Sequence, residues 1–270
     1  DNVGVAKTAL YYSTDPEAPL ESWTLIDEHN GSSYSQNIDT KVMPNGIVYV
    51  VAKIYDAVGN YSYSPKQKYM CDNQGPEQVK NVKCIAVDGT TATLSWSDVS
   101  DDDISYFVVE CKQSDGVWKS VSRTSTNLGV NLSGLTPEHD YVYRVIGYDK
   151  RSNRGTPSEE ITVTTLKDTI CPKVTKITPD PGYFKSEINL RFTAEDDYRV
   201  KSIEIQTSTD KESWKTVSEI KATGESAKCT FDCKLDLKNY EEGSVFVRAK
   251  VYDSYGNVTE DKDLTCYEYV

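Results

Sequence analysis

A thirteen-residue motif occurs twice in this chain, and that internal repeat constrains the fold more than any other feature. Val48 to Asn60 reads VYVVAKIYDAVGN and Val245 to Asn257 reads VFVRAKVYDSYGN, with eight of thirteen positions identical and no gap. The likeness extends upstream. VAKTALYYSTD ending at Asp15 parallels VKSIEIQTSTD ending at Asp210, and Glu21-Ser22-Trp23 parallels Glu212-Ser213-Trp214. Two copies of one kind of module therefore flank a middle segment of different grammar.

Within the repeat the period is that of a strand. In VFVRAKVYD, Val245, Val247, Ala249 and Val251 share one face while Phe246, Arg248, Lys250 and Tyr252 share the other, which is the alternation of a half-buried strand. The 270 residues suffice for two or three modest cores. Nineteen tyrosines, five phenylalanines and four tryptophans among 15 glycines and 10 prolines suit short strands joined by tight turns. The reading is all-β, with helix a minority.

The middle segment, from Gly75-Pro76 to Lys167, has an ordered set of marks. An early strand carries Val82 and Cys84, the next reads TATLSW to Trp96, and a third carries Tyr106 and Val108. Gly134-Leu135-Thr136-Pro137 then precedes Tyr141, and Pro157-Ser158 leads to a last strand with Val163, Thr164 and Thr165. This order resembles a fibronectin type III domain. The resemblance implies that Trp96 fills the space between two sheets and that Tyr141 forms a tyrosine corner, its hydroxyl bonded to upstream backbone. It also implies that Tyr106 and Val108 point inward, with Phe107, Val109 and Cys111 on the other face, so that Cys84 is core and Cys111 outer.

The outer segments share an early strand ending in Ser-Thr-Asp, a tryptophan (Trp23 or Trp214) and a Tyr-Asp-x-x-Gly-Asn turn. They resemble the immunoglobulin-like domains found in tandem in large bacterial surface and secreted proteins. The resulting architecture is three consecutive antiparallel β-sandwiches: an Ig-like module at 1–74, a fibronectin type III domain at 75–167 and an Ig-like module at 168–270. Trp96, Tyr141, Trp23 and Trp214 are read as structural. The third module has 25 residues, Cys171 to Glu195, including INLRFTA, before the point at which the first begins. The first module is thus expected to lack its first two strands, as in a fragment starting inside a domain, leaving an open edge for strand addition. The linkers near Asp72 to Pro76 and Lys167 to Pro172 are short and contain proline, which predicts a semi-rigid array.

The chemistry-bearing residues are sparse. His29 and His139 lie in no motif for a nucleophilic triad or a metal site, and no Gly-x-Ser-x-Gly elbow, phosphate loop or dinucleotide fingerprint occurs. Acidic runs such as Asp101-Asp102-Asp103 and Glu195-Asp196-Asp197 could in number supply a glycosidase pair, but small sandwiches rarely build the cleft such a pair needs. The chain is read as no enzyme. The seven cysteines match no zinc spacing, and Cys229 and Cys233 on one strand would lie about 13 Å apart at roughly 3.3 Å per residue, beyond bridging distance. Reduced cysteines are the expectation.

A net charge of −12 disfavours nucleic acid and anionic lipid, and no apolar run is long enough for a membrane span. Asp56 with Asn60, Asp253 with Asn257, and Asp72 with Asn73 offer hard oxygen ligands near domain ends. They match no EF-hand, and Asp and Asn also cap turns while Gly59 and Gly256 supply a positive φ. No cofactor is required; any calcium is expected at a domain junction, with Asp72 and Asn73 as ligands. The loop from Asp149 to Gly155 puts Lys150, Arg151 and Arg154 together as a basic knob that could bind an acidic glycan, although a solvated loop is the preferred reading. The expected function is an extracellular, secreted or cell-surface spacer or adhesion array. Its expected partners are flanking domains of a parent protein and a host or bacterial surface protein or glycan. The rivals are a carbohydrate-binding accessory region of a polysaccharide-degrading enzyme and a structural segment of a secreted toxin.

Overall fold

The computed structural model of the chain describes residues 4–31, 35, 37–97, 99, 101–260 and 265–270. Almost all of the regular structure is strand. Helical turns are limited, among the described residues, to three 3-10 segments of three residues each. Among the described residues no helix is long and apolar enough to cross a membrane.

The first sheet is built from β1 (Val5–Ser13), β2 (Thr24–Asn30), β3 (Gly46–Asp56), β4 (Tyr61–Tyr63) and β5 (Gln67–Cys71). Its order is β2-β1-β3-β4, with β5 also paired to β3. On one face Val48, Met43 and Cys71 form a small core with Tyr12, Ile26 and Ile38. On the other, Ala9 lies opposite Lys53, and Tyr63 and Tyr61 lie opposite Lys53 and Tyr55. The lysine ammonium thus rests among tyrosine rings.

The middle of the chain forms β6 (Lys83–Val87), β7 (Thr91–Ser95), β8 (Ile104–Lys112), β9 (Trp118–Thr124), β10 (Gly129–Ser133), β11 (Asp140–Asp149) and β12 (Ile161–Thr164). They make two sheets, ordered β10-β7-β6 and β12-β11-β8-β9. Trp96, which follows β7, is buried.

The expected parity of β8 is corrected. Phe107, Val109 and Cys111 are buried, at 1%, 0% and 6% exposure, whereas Tyr106 is half-buried and stacks on Tyr148 at 4.8 Å. Glu110 shares the parity of Tyr106 and Val108 and pairs with Arg144 at 2.7 Å, and a charged pair is less costly on this face than among Phe107, Val109 and Cys111. Val108, of the same parity as Tyr106, is also buried, at 9% exposure. Cys84 is therefore not the core cysteine and Cys111 is not the outer one. Cys84 is half-exposed at a register shift in β6, where its thiol donates to the Ala86 carbonyl. All seven cysteines are free.

The last part of the chain forms β13 (Lys173–Thr178), β14 (Tyr183–Phe184), β15 (Glu187–Ser208), β16 (Lys215–Asp236), β17 (Gly243–Asp253), β18 (Val258–Glu260) and β19 (Thr265–Tyr269). The order is β13-β15-β17-β19-β14, with β16 also on β15 and β18 also on β17. Pairing is antiparallel except between β14 and β19, which run parallel. Val245, Val247, Ala249 and Val251 of β17 are all at 0% exposure, as their alternation predicts. In β15 the inward set is Ile188, Leu190, Phe192, Ala194 and Val200, then Ile203 and Ile205. The change from even to odd positions coincides with a register shift between Val200 and Ser202, the effect of one extra residue in a strand. Just before it, Asp196 to Arg199 fall in a stretch of β15 where the pairing with β16 is also interrupted.

Contacts gather the chain into two compact units. One holds the chain through Val79, the stretch ending at Val108, and Val145–Ser158; the other holds Lys80–Ser97, Val109–Arg144 and Glu159 onward.

Candidate functional site

One turn recurs at the end of a long strand in three places. After β3, β11 and β17 the chain reads Asp56 to Asn60, Asp149 to Asn153 and Asp253 to Asn257. In each, the first Oδ1 accepts the backbone N–H groups two and four residues on, and the asparagine Nδ2 donates to Oδ2. These side-chain bonds satisfy the turn's own amides, which is why Asp and Asn occur at that spacing. Gly59 and Gly256 take a positive φ, and Ser152 takes the same region in the middle copy, at φ 67°.

Two of these turns also reach outward. Asn153 donates to the Asp72 carbonyl at 3.0 Å, and Asn257 donates to the Asp168 carbonyl at 3.2 Å. Asp72 and Asp168 each stand four residues before a proline, Pro76 and Pro172. Each lies in a trio of carboxylates, Asp72 with Asp103 and Asp149, and Asp168 with Asp196 and Asp197, whose oxygens approach within 4.8 Å of one another.

The first trio has its charge answered locally. Arg151 Nε lies 3.4 Å from Asp72, and both Asp149 oxygens accept hydrogen bonds from the turn. Asp103 is raised above the usual carboxylate range chiefly by a hydrogen bond shared with Asp101. Asn73 is not part of the trio: its amide donates to the Thr40 carbonyl and its Oδ1 accepts from the Thr40 hydroxyl. Of the basic loop, Lys150 donates to the Asp102 carbonyl at 3.0 Å, Arg151 is committed to Asp72, and Arg154 forms a backbone bridge with Tyr148.

The second trio is different in kind. Asp168 is 1% exposed; its Oδ1 accepts the Ile170 N–H at 2.9 Å, and its Oδ2 is buried without a hydrogen-bond partner among the described residues. Asp196 Oδ2 accepts the N–H groups of Tyr198 and Arg199, while its Oδ1 is likewise buried and unbonded. Asp197 Oδ2 accepts the Thr90 hydroxyl at 2.9 Å. Burial pushes the carboxyls of Asp168 and Asp196 up, and neighbouring carboxylates push further the same way. Sequence reasoning noticed Asp196 and Asp197 only as part of an acidic run and missed Asp168. The available signal was the matched spacing of Asp72 and Asp168 to proline.

The residues read as structural are placed by packing and hydrogen bonds. The Thr136 N–H donates to Tyr141 Oη at 2.8 Å, the tyrosine-corner bond. Trp23 is buried and donates to the Ala18 carbonyl. Trp214 is only half-buried, donating to the Lys211 carbonyl with the Arg248 guanidinium 4.1 Å from its ring centre. The rings of Tyr55, Tyr61 and Tyr63 in the first sheet do not share a plane. Tyr55 and Tyr61 are tilted by 56°, Tyr61 and Tyr63 by 78°, and Lys53 Nζ sits 3.8 Å from the Tyr61 ring centre.

These sheets define an all-β protein of the sandwich class. Residues 77–164 match the fibronectin type III domain family, and that segment is such a domain. Similar solved structures include a fibronectin type III domain of human fibronectin type III domain containing protein 3, 25% identical over 37% of this chain and 94% of that one, with a TM-score of 0.33. Another is the FN5 domain of Drosophila Lar, 21% identical over 34% of this chain and 99% of that one, with a TM-score of 0.30. No curated protein matches the chain.

Proposed function

We propose that the chain is a non-catalytic spacer array of β-sandwich modules within a larger secreted or cell-surface protein, with modules at 1–74, 75–167 and 168–270 and the outer two Ig-like. The observation that carries this reading is that sheet-forming segments follow one another along the chain with the same Asp-x-x-x-Asn turn in each, one segment being a fibronectin type III domain. The turn satisfies its own amides and closes β3, β11 and β17 alike, which suits a load-bearing repeat. Its partners on this reading are the flanking domains of the parent protein. Adhesion to a surface protein or glycan is a weaker role for the loop of Lys150, Arg151 and Arg154, since Lys150 and Arg151 bond the chain's own acceptors.

The carbohydrate-binding alternative asks for aromatic rings lying in one plane for a sugar to stack upon. The tilted rings of Tyr55, Tyr61 and Tyr63, with Lys53 over the Tyr61 face, favour the spacer instead. Single-molecule pulling on the whole chain tests the reading. It expects separate rupture events, one of them releasing the length of residues 77–164 at roughly 3.3–3.6 Å per residue. A single rupture releasing the entire chain, or turnover of a polysaccharide by it, would overturn the proposal.

A further inference from the structure

We propose that Asp168, Asp196 and Asp197 form a binding site for a divalent cation, and that the cation it takes is calcium. The inference does not depend on the spacer reading. It starts from the two orphan oxygens, Asp168 Oδ2 and Asp196 Oδ1, which are buried and accept no hydrogen bond among the described residues. A buried carboxylate is retained when its charge is paired or bound to a metal, because the desolvation cost is otherwise unopposed. None of the three carboxylates makes an ion pair among the described residues. The nearby Arg199 is turned away, 2.8 Å from Glu225 and stacked on Tyr198.

The other oxygens of the trio act as tethers. Asp168 Oδ1 is held by Ile170, Asp196 Oδ2 by Tyr198 and Arg199, and Asp197 Oδ2 by the Thr90 hydroxyl. The backbone at Asp168 is fixed in turn by Asn257. Such outer bonds orient ligands toward a shared ion and are characteristic of built metal sites. Asp196 and Asp197 come from the interrupted stretch of β15, and Asp168 from the segment before β13, so the site joins two parts of the chain.

The donor set selects the ion. Three hard carboxylates with no histidine or thiolate suit calcium or magnesium over transition metals. Magnesium keeps most of its waters and demands near-octahedral geometry, whereas calcium accepts irregular carboxylate clusters. Asp168 is buried and Asp196 half-buried, with one oxygen of each shut off from solvent, which favours calcium, the ion that gives up its waters more readily. The trio of Asp72, Asp103 and Asp149 is an internal contrast: Arg151 lies on Asp72, both Asp149 oxygens are bonded, and none of its oxygens is buried without a partner among the described residues.

The test uses the whole chain, stripped with a chelator and titrated with calcium chloride, with magnesium chloride in parallel. Binding is read by calorimetry, by the shift in melting temperature, and by terbium luminescence sensitised through the adjacent tyrosines. One calcium per chain is expected, with a rise in melting temperature. Asp168→Asn and Asp197→Asn should each weaken binding by about tenfold or more, since the number of ligand charges sets calcium affinity. Asp103→Asn should leave it unchanged. Asp197 is exposed, so its variant keeps the fold, and metal-free Asp168→Asn should melt no lower than the metal-free parent because it removes an unanswered buried charge. Three results would overturn the site: no binding at millimolar calcium, binding that survives both Asp168→Asn and Asp197→Asn, or binding abolished by Asp103→Asn. Magnesium binding as tight as calcium would overturn the choice of ion.

Discussion

Asp253 and Asp56 stand at the same place in two copies of one turn and make the same three hydrogen bonds, yet their surroundings differ. Asp253 is at 0% exposure, whereas Asp56 is only half-buried. Removing the carboxylate from a buried turn strands two backbone N–H groups and an amide where water cannot replace it. Asp253→Ala is therefore expected to lower stability by about 2–3 kcal/mol, from the usual worth of charged hydrogen bonds and unsatisfied donors. Asp56→Ala should cost clearly less, because solvent reaches that turn. Urea unfolding of both variants checks this, and equal losses would count against burial as the deciding factor. The Asp-x-x-x-Asn spacing was legible in the two copies that carry glycine. The third, Asp149 to Asn153, was read as a basic loop because Ser152 stands in the left-handed position that glycine marks elsewhere.

At the level of single strands, β17 and β8 show where pattern reading succeeds and where it slips. The apolar residues of β17 occupy every second position without interruption, so only one face can be buried. In β8 both parities are apolar between Tyr106 and Val109, and a family resemblance chose the wrong one; Glu110 carried the deciding information. The observed parity predicts that Phe107→Ala costs about 3–5 kcal/mol. Tyr106→Ala, which loses a partly exposed ring stack, should cost about 1 kcal/mol. Thermal unfolding of the pair decides the matter, and a larger loss at Tyr106 would reverse the assignment. In β15 no periodic reading could succeed along the whole strand, because the register shift after Val200 exchanges the two faces midway.

For the whole molecule, acidity is the dominant electrostatic fact, and two effects of opposite sign decide its response to pH. The net charge of −12 at pH 7 makes the folded chain repel itself, and protonation toward acid pH relieves that. Against this, several carboxylates are held below their ordinary range. Asp210 is held by the backbone amides of Ser213 and Glu212, Asp88 and Glu204 by the hydroxyls of Thr91 and Thr216, and Asp232 by Arg191. A carboxylate with a depressed folded pKa contributes stability that is present above its unfolded value, near 4, and is lost as pH falls through its folded value. Stability should accordingly hold or rise from neutral pH to about pH 5, then fall below about pH 4. Urea midpoints across that range provide the measurement. Asp210→Asn should flatten the acid limb, and an unchanged limb would remove Asp210 from the account.

What the sequence by itself determined is whatever depends on near neighbours along the chain. It carries the all-β class, the repeated module with its turn, the fibronectin type III segment with its tyrosine corner, and the inward face of β17. Each follows from a period of two or from a spacing of a few residues, because backbone geometry turns such spacings directly into faces and hydrogen bonds. Only the tertiary structure decided which face of β8 is covered, that Asn73 turns to Thr40 instead of joining an acidic cluster, and that Asp168 is buried beside Asp196 and Asp197. Those depend on residues far apart in sequence removing water from one another. Desolvation, which makes an ordinary aspartate into a candidate metal ligand, leaves no mark in local spacing.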